Sequence, residues 1–327
     1  MSEVFRWGIL GTGGIARAFA EDLKHLDGHL VAAVGSRSQE SADAFVSLFP
    51  EARAFASYEE LVQSDVDAIY IATPHTFHKE HALLALNAGK AVLCEKPFTI
   101  NRHEAAHLID RSKELSLPLV EAIWTRFLPH IKRIQELVAS GVLGEITSIT
   151  ADHGQYLPID KHPRLWLPEL GGGALLDLGI YPLTLAHIIL GAPEKISAQA
   201  TLTELGVDLQ TSAILTYSSG AHATINCTMA SRTSNTATIA GTLARIEIDS
   251  FFFAPTSFRV VTRDGHVTEY PKNYEGIGLR EEALEVARIC KTGELESPLA
   301  PHAMTLEMME IMDQIREQVL VKYPNED

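Results

Sequence analysis

The chain has 327 residues, and at about 150 residues per domain this length predicts two domains. Hydrophobic residues make up 46% and charged residues 21%, which excludes a disordered chain, a fibrous repeat and a small disulfide-stapled fold. Acidic residues outnumber basic ones by 42 to 27, a net charge of −15, which argues against nucleic acid and anionic membranes as main partners.

Cysteine usage and the N-terminal segment bear on where the protein works. Cys94, Cys227 and Cys290 lie far apart and lack metal-ligand spacing, which is typical of a reducing compartment. The N-terminal run MSEVFRWGILGTGG has no basic region followed by a long apolar core, so it does not resemble a signal peptide. Apolar runs elsewhere are expected to be too short to span a bilayer. We therefore expect a cytoplasmic protein.

Residues 5–124 alternate short apolar runs with longer amphipathic stretches. The apolar runs are typical of strands buried on both faces of a parallel sheet, and they read FRWGIL, HLVAAVGS, DAIYIA, KAVLCE and PLVEAI. Helical spacing appears in KEHALLALNAG, which stops near Gly89, and in NRHEAAHLIDRSKEL, where Asn101 and Glu104 resemble a capping box. This alternation predicts βαβ units and a doubly wound parallel sheet in an N-terminal domain, 1–124.

A glycine-rich loop follows the first predicted strand and opens a helix. Gly11, Gly13 and Ala16 fit G-x-G-x-x-[GA], in which the glycines permit a tight turn and close approach to a pyrophosphate. An ordinary glycine-rich turn would look the same, but the position between a strand and a helix favours a dinucleotide site. The residues assigned to it are Gly11, Thr12, Gly13, Gly14 and Ile15.

The end of the second predicted strand bears on the choice between NAD and NADP. An acidic residue there suits the ribose 2′-hydroxyl, whereas arginine with small hydroxyl residues suits a 2′-phosphate. The sequence has Ser36, Arg37 and Ser38 and no carboxylate at this point. Arg37 is alternatively a solvated surface arginine. We predict NADP as the cofactor, with NAD as the alternative.

Two further strand ends should face the same ligand-binding edge of the sheet. Thr73 and Pro74 follow one of them, and Glu95 and Lys96 end the next. A lysine at the end of a buried strand needs water or a partner, so Lys96 either serves the site or pairs with a carboxylate such as Glu95. All four residues are assigned to the cofactor site.

Three histidines follow this turn at intervals of three residues. His75 and His78 are assigned to the cofactor, and His81 completes the series. Steps of three drift around a helix, and no cysteine or carboxylate cluster joins them, so we predict no metal site. Solvated histidines are the other reading.

Beyond residue 125 the pattern changes to one helix, FLPHIKRIQELVASG, and long alternating segments. In AHATINCTM, Ala223, Ile225 and Cys227 share one face while Thr224 lies on the other, and Asp264-Gly265 indicates a hairpin. LQTSAILTY, ARIEID, SFRVVTR and HVTEY behave similarly. We predict a C-terminal α/β domain, 125–327, with an open, mostly antiparallel sheet.

Two surfaces of this second half remain open to interpretation. The last helix carries a stripe that is either core packing or a binding surface: Met304, Met308, Ile311, Met312, Ile315 and Val319. The sheet carries small β-branched residues that form either a solvated face or a flat homo-oligomer interface: Thr201, Thr203, Thr224 and Thr228. We predict a homodimer or a higher homo-oligomer.

Three segments together resemble the glucose–fructose oxidoreductase/inositol dehydrogenase (Gfo/Idh/MocA) family. They are the glycine loop, AGKAVLCEKP and GGGALLDLGIYP, and the resemblance covers nearly the whole chain. With EAIWTRFLP, the chain looks most like the branch of dimeric dihydrodiol dehydrogenases and NADP-dependent D-xylose dehydrogenases. The resemblance implies a Rossmann domain, a C-terminal α/β domain, a nicotinamide cofactor, and oxidation of a hydroxyl on a ring-shaped polyol or the reverse reaction.

The family motif D-x-G-x-H-x-x-D is only partly kept. Asp177 and Gly179 match it, whereas Tyr181 replaces the histidine and Thr184 the last aspartate. A tyrosine at this position is a feature of the dihydrodiol-dehydrogenase branch, so the resemblance points away from inositol as substrate.

The resemblance and the chemistry assign catalytic roles to Lys96, Tyr181 and Asp177. A phenol with a pKa near ~10 becomes an effective base only where a cation favours its ionised form, and Lys96 supplies one. If the run is helical, Asp177 shares a face with Tyr181 and orients the substrate or Lys96. Tyr181 packing at a domain seam and Asp177 bracing a turn are the structural alternatives.

Further residues are assigned more loosely to the substrate. Trp124 and Arg126 follow the last Rossmann strand and are predicted to line the pocket with Tyr181, unless Trp124 is core. Arg164 and Trp166 are expected on a loop over the site that glycines 171–173 make mobile.

The leading hypothesis is an NADP-dependent dehydrogenase or reductase acting on a CH–OH group of a cyclic sugar, polyol or trans-dihydrodiol. Two alternatives stay open: an enzyme that retains NAD and uses transient oxidation for elimination or glycoside cleavage, and a non-enzymatic pyridine-nucleotide sensor. The expected partners are a small-molecule substrate and further copies of the chain, without nucleic acid or membrane.

Overall fold

A computed structural model describes residues 4–324 and residue 326; residues 1–3 of the N-terminal segment considered above lie outside it. The strands are β1 Phe5–Leu10, β2 His29–Gly35, β3 Arg53–Phe55, β4 Ala68–Ile71, β5 Ala91–Glu95, β6 Leu119–Ala122, β7 Ile146–Gly154, β8 Lys195–Leu202, β9 Asp208–Thr216, β10 His222–Thr228, β11 Ala237–Gly241, β12 Ala244–Ile248, β13 Phe258–Thr262 and β14 Val267–Tyr270. The helices are α1 Gly14–Leu23, α2 Gln39–Val46, α3 Tyr58–Val62, α4 His78–Asn87, α5 Arg102–Leu115, α6 Pro129–Ala139, α7 Ile180–Leu190, α8 Arg280–Thr292 and α9 His302–Val319.

The first of two compact units comprises Met1–Trp124 together with Gly276–Leu306. Its six strands are all parallel, in the order β3-β2-β1-β4-β5-β6. β4, β5 and β6 are buried along their whole length, as their unbroken apolar runs require. The predicted doubly wound sheet is therefore confirmed. The sequence pattern does not reveal β3, since three residues are too few to show a period.

The predicted C-terminal domain, 125–327, is wrong in one respect, because residues 276–306 fold with the first unit. The Asp22 carboxylate on α1 accepts the backbone N–H groups of Gly278 at 3.1 Å and Arg280 at 2.9 Å, which caps the start of α8. The Leu119 N–H of β6 then donates to the Leu295 carbonyl at 3.0 Å. The local sequence pattern does not indicate that a late segment packs on a sheet formed earlier in the chain, so this domain boundary could not be predicted.

Helix boundaries follow local chemistry. The Asn101 side chain accepts the Glu104 N–H at 2.9 Å and starts α5, as the capping pattern predicts. Gly89 has φ +79° and follows the end of α4. Both predicted boundaries are confirmed.

The second unit comprises Thr125–Glu275 and Glu307–Asp327. Its eight strands follow the order β14-β13-β12-β11-β7-β10-β9-β8, and all pairs are antiparallel except β10 with β7. Ala223, Ile225 and Cys227 are buried while Thr224 is exposed, as the alternation predicts. Gly265, with φ +88°, turns the chain between β13 and β14. The mostly antiparallel sheet with one covered face is confirmed.

Thr228 departs from the predicted exposed face, since only 3% of it is accessible. It ends β10, where its carbonyl accepts the Gln155 N–H at 3.0 Å and its hydroxyl accepts the Ala230 N–H at 3.1 Å. The chain on both sides therefore covers it. The rest of this face is open. It includes Thr224, which is exposed, and Ile214, which is 48% exposed.

The apolar run Pro168–Leu190 is long and apolar enough to cross a membrane, contrary to the sequence expectation. In its most apolar stretch 83% is buried inside the protein, so this run forms part of the hydrophobic core. α9 does the same: Met304, Met308, Ile311, Met312 and Ile315 are buried and Val319 is half-buried. The core-packing interpretation of the methionine stripe is confirmed.

Glycines 171–173 do not form the predicted mobile loop. All three are buried, and the Gly173 N–H donates to the Leu165 carbonyl at 2.8 Å. A Cβ at Gly172 would lie 2.5 Å from that same carbonyl oxygen, and one at Gly173 would lie 2.2 Å from the Asp208 carboxylate. Glycine is needed here because the backbone packs closely, not because the segment moves.

Candidate active site

The glycine loop has the geometry of an anion site. Gly11 has φ +109°, and a Cβ there would lie 2.7 Å from the Ala72 carbonyl oxygen, so only glycine fits the turn. Gly13 and Gly14 are exposed, and a Cβ on either would meet nothing within 4 Å. Gly13 precedes α1 and has no side chain, so no side chain caps the first N–H groups of this helix. The pyrophosphate of a dinucleotide fits this open, positively polarised helix end.

The end of β2 presents the three residues assigned to the nucleotide in different ways. Ser36 is 7% exposed, and its N–H donates to the Phe55 carbonyl at 3.0 Å. The Ser38 hydroxyl accepts the Ser41 N–H at 3.3 Å and caps α2, so helix capping already occupies it. Arg37 is exposed.

Arg37 lines a cavity of about 600 Å³ at the carboxyl edge of the sheet, together with Tyr58, Phe77 and His81. The Thr73 hydroxyl lies 3.0 Å from His81 Nδ1, and the Tyr58 ring meets the His81 ring edge-on at 4.8 Å. Burial lowers the pKa of His81 to about 4, although the Glu59 carboxylate opposes the change. Sequence reasoning did not assign Tyr58 to this wall, and it weighed His81 as a metal ligand, a cofactor contact or a solvated histidine.

His78 joins two strand ends. It is fully buried, with Nδ1 2.8 Å from the Pro97 carbonyl oxygen and Nε2 2.9 Å from the Thr73 carbonyl oxygen. Burial lowers the pKa of His78 to about 4, so at neutral pH the ring carries a single N–H, which donates to one of the two carbonyl groups. The solvated-histidine reading is wrong for this residue and for His75 and His81, which are 4% and 8% exposed.

Within the described ranges, no three His, Cys, Asp or Glu side chains form a group that could hold a metal ion. The rings of His75 and His78 lie 5.7 Å apart. These histidines shape the turn after β4 and the adjoining cavity.

Buried carboxyl groups surround the end of β5, next to Lys96. Glu95 accepts the Tyr70 hydroxyl on one oxygen and the Lys96 N–H at 3.1 Å on the other. Glu121, on β6, accepts the Phe98 N–H at 3.2 Å. Lys96 itself is half-buried. Both carboxylates thus fix the backbone that carries the lysine.

Glu282, on α8, is another buried carboxyl group of this unit, and sequence reasoning missed it. It is 0% exposed, and neither carboxyl oxygen has a hydrogen-bond partner among the described residues. Burial first, and then the charges of Glu95, Asp22 and Glu121, raise the pKa of Glu282 well above its usual range. An uncharged carboxylic acid is the form this environment stabilises.

Asp177 and Tyr181 lie in the second unit, on a helical run. Leu175–Gly179 is a π-helical segment that continues directly into α7, so the predicted helicity is confirmed with a wider first turn. Asp177 is 9% exposed, and its carboxylate lies 3.3 Å from the Arg164 guanidinium. Arg164 therefore orients Asp177, a contact that its position in the sequence did not reveal.

Tyr181 is 7% exposed and packs against two rings from distant parts of the chain. Its ring centroid is 4.7 Å from Phe253 and 5.3 Å from His153, and those two rings stack at 4.1 Å. His153 is the second-last residue of β7 and Phe253 follows β12, positions that no local sequence pattern marks. This cluster was missed.

The remaining assigned residues follow β6 or precede the π segment. Trp124 and Arg126 lie on a short 3₁₀ turn and are half-buried. Trp166 donates its ring N–H to the Leu157 carbonyl at 2.9 Å and packs on a buried apolar cluster, which gives it a structural role. Lys96 lies in the first unit, and Asp177 and Tyr181 lie in the second.

Two family models cover most of the chain. Residues 5–122 match an oxidoreductase family with an NAD-binding Rossmann fold, and residues 131–247 match the GFO/IDH/MocA C-terminal domain. The first match covers the sheet that carries the glycine loop, and the second covers the π segment.

Relatives and solved structures extend the similarity to nearly the full length. Trans-1,2-dihydrobenzene-1,2-diol dehydrogenases are 36% identical, that of Mus musculus over 98% of each chain and that of Xenopus laevis over 98% of this chain and 99% of the relative. A 3-ketoreductase from Actinomadura kijaniata, in complex with NADP and TDP-benzene, is 26% identical with a TM-score of 0.88 over 97% of this chain and 98% of its own. An aldose-aldose oxidoreductase from Caulobacter crescentus shares the fold, at 22% identity and a TM-score of 0.88 over 97% and 98% of the two chains. The chain therefore belongs to the GFO/IDH/MocA family of NAD(P)-binding oxidoreductases, as its glycine loop, EKP stretch and GGGALLDLGIYP segment predict.

Proposed function

We propose that this protein is an NADP-dependent dehydrogenase or reductase that interconverts a ring hydroxyl and a ketone on a cyclic polyol, pyranose or trans-dihydrodiol. The observation that carries the proposal is the full-length similarity to dihydrodiol dehydrogenases combined with a complete glycine loop, Lys96 and Tyr181. A nucleotide sensor has no need of the last two residues. The 3-ketoreductase relative, solved with NADP, supports the same class of carbonyl chemistry.

NADP is proposed over NAD because of what surrounds the end of β2. Arg37 lines the cavity beside Tyr58 and His81, and a guanidinium binds a phosphate through paired, charge-assisted hydrogen bonds. Ser36 adds a small, buried neighbour without negative charge. The glycine loop would hold the pyrophosphate, and Arg37 the 2′-phosphate.

When bound, the nicotinamide ring supplies the acceptor or donor of a hydride. We propose that Tyr181 exchanges the proton of the reacting hydroxyl, so that the alcohol loses a hydride and a proton as it becomes a ketone. Lys96, as a cation, favours the phenolate form of Tyr181 and hydrogen-bonds the reacting oxygen. Asp177, held by Arg164 at 3.3 Å, orients the substrate, and Trp124 and Arg126 are proposed to contact it.

A ring-shaped substrate is proposed from the names of the relatives and not from the ring packing, because Tyr181 and Phe253 are each 7% exposed and pack on one another. The names of the relatives include trans-1,2-dihydrobenzene-1,2-diol dehydrogenases and a 3-ketoreductase solved with TDP-benzene. A dihydrobenzenediol is a ring compound that bears hydroxyl groups.

The test is an absorbance screen for reduced nicotinamide with trans-dihydrodiols, pyranoses and cyclic polyols, each with NADP and with NAD. We expect turnover with at least one ring substrate, faster with NADP. Cofactor that co-purifies, with turnover that needs none added, would instead support the retained-NAD alternative. Absence of turnover combined with tight nucleotide binding would support the sensor.

We also propose that the protein is a homo-oligomer built on the open face of the second sheet. Thr201, Thr224 and Ile214 are exposed there, and Thr203 is half-buried. Thr228 no longer belongs to this surface. A flat face of small and apolar side chains suits pairing with a second copy.

A further inference from the structure

We infer that His153 is a positioning residue, which holds the helical segment carrying Asp177 and Tyr181 mainly by a hydrogen bond to the Leu178 carbonyl. This inference rests on the proposed function, in which Tyr181 exchanges the substrate proton. It gives a role to a buried histidine that the proton transfer itself does not use.

The surroundings of His153 hold its ring in one place. The residue is 1% exposed near the end of β7, and its ring stacks on Phe253 with centroids 4.1 Å apart. Phe253 also lies 4.7 Å from the Tyr181 ring, so the three rings form one packed group. A shift of the imidazole would therefore be transmitted to the phenol.

The hydrogen bonds of His153 select one tautomer. The Gln155 amide nitrogen lies 3.0 Å from His153 Nε2, and because an amide NH₂ only donates, Nε2 is the acceptor. Nδ1 then carries the hydrogen and donates to the Leu178 carbonyl at 3.2 Å. Gln155 thus leaves the hydrogen on Nδ1, where His153 donates it to the Leu178 carbonyl of the π-helical segment.

Leu178 lies between Asp177 and Tyr181 in the sequence, within the segment Leu175–Gly179. A π-helical turn is rare and persists where surrounding contacts hold it. At Gly179 a Cβ would lie 2.9 Å from the Cys227 sulfur, so the segment already lies flush on β10. A bond to the Leu178 carbonyl therefore fixes both flanking functional side chains at once.

Two substitutions separate the hydrogen bond from the ring packing. His153→Phe keeps an aromatic ring and removes the Nδ1 donor, whereas His153→Asn keeps a donor near the Nδ1 position and removes the ring. We expect His153→Phe to lower kcat about 10- to 100-fold with little change in NADP affinity, because misplaced reacting groups slow the chemical step. His153→Asn should recover much of that loss. Tyr323→Phe is the matched control, because it also removes one buried donor to a carbonyl, that of Gly172 at 2.6 Å.

Wild-type kcat in His153→Phe, or equal losses in His153→Phe and His153→Asn, would overturn the inference. Tyr181→Phe is measured in the same assay, and if it keeps wild-type kcat, the proposed role of Tyr181 fails rather than that of His153. Nitrogen NMR of ¹⁵N-histidine-labelled protein, assigned with His153→Asn, then decides without any turnover. A hydrogen on Nδ1 at neutral pH supports the inference, and a hydrogen on Nε2 overturns it.

Discussion

At the scale of single residues, we propose that Arg37 determines the preference for NADP over NAD. Arg37→Ala should raise the KM for NADP about 10- to 100-fold, since a hydrogen bond to a charged group contributes about 1.5–3 kcal/mol. The KM for NAD should change little. Steady-state kinetics with both nucleotides measures this, and Arg17→Ala, on the exposed side of α1, is the control. Equal changes in the KM for NADP and for NAD would contradict the assignment of Arg37 to the 2′-phosphate.

His78 makes folding sensitive to acid. Its pKa of about 4 in the folded protein lies below the ordinary value of 6.5. Between these values the unfolded chain takes up a proton that the folded chain refuses, so stability falls as the pH falls through this window. For this buried ring the loss approaches about 1.4 kcal/mol per pH unit.

We expect His78→Gln to weaken that pH dependence while lowering stability at neutral pH, where a carbonyl hydrogen bond is lost. Urea unfolding at several pH values between about 4.5 and 7 measures both effects. A slope equal to that of wild type would show that His78 is charged in the folded protein.

At the scale of elements, Glu282 on α8 makes stability depend on pH in the opposite direction from His78. Its folded-state pKa is raised, so above the ordinary glutamate pKa the unfolded chain is ionised while the folded chain holds the proton. Raising the pH therefore favours unfolding, until the pH reaches the folded-state pKa. Glu282→Gln, which resembles the neutral acid, should be more stable than wild type, and increasingly so from about pH 5 to about pH 8.

Chemical unfolding at both pH values checks this. Glu60→Gln, at an exposed helix position, is the control and should change the free energy of unfolding by less than about 0.5 kcal/mol at either pH. If instead the stability of Glu282→Gln relative to wild type falls as the pH rises, Glu282 in the wild-type protein must be an ionised carboxylate with a stabilising partner.

The elements also show how far sequence reasoning reaches. Long apolar runs and caps such as Asn101 are local, so the parallel sheet and the helix boundaries could be predicted. The glycines at 171–173 could not be interpreted correctly from the sequence. Their composition suggests mobility, whereas glycine is needed there because Leu165 and Asp208 pack closely against the backbone. His153 and Phe253 meet Tyr181 only through the tertiary fold. For the same reason, the return of 276–306 to the first sheet was not foreseen.

At the scale of the whole molecule, the open sheet face is expected to pair with a second copy. Light scattering at micromolar concentration should give at least twice the mass of one chain, 35.8 kDa. Ile214→Lys with Thr224→Lys should shift the protein toward the monomer, because buried like charges oppose a two-fold interface. Leu284→Lys, at an exposed α8 position, is the control. A monomeric mass for the unaltered chain would refute the proposal.

We propose that Lys96 and Tyr181 serve one proton transfer during NADP-dependent oxidation of a ring hydroxyl. The most direct measurement is kcat for Lys96→Met, Tyr181→Phe and the double variant, alongside NADP binding by fluorescence. Each single change should lower kcat by about 10²–10⁴-fold, and the double variant should be little worse than either, since both residues act in one step. NADP affinity should survive Tyr181→Phe. Near wild-type kcat in Tyr181→Phe with hydride transfer rate-limiting, or losses that multiply in the double variant, would contradict the account.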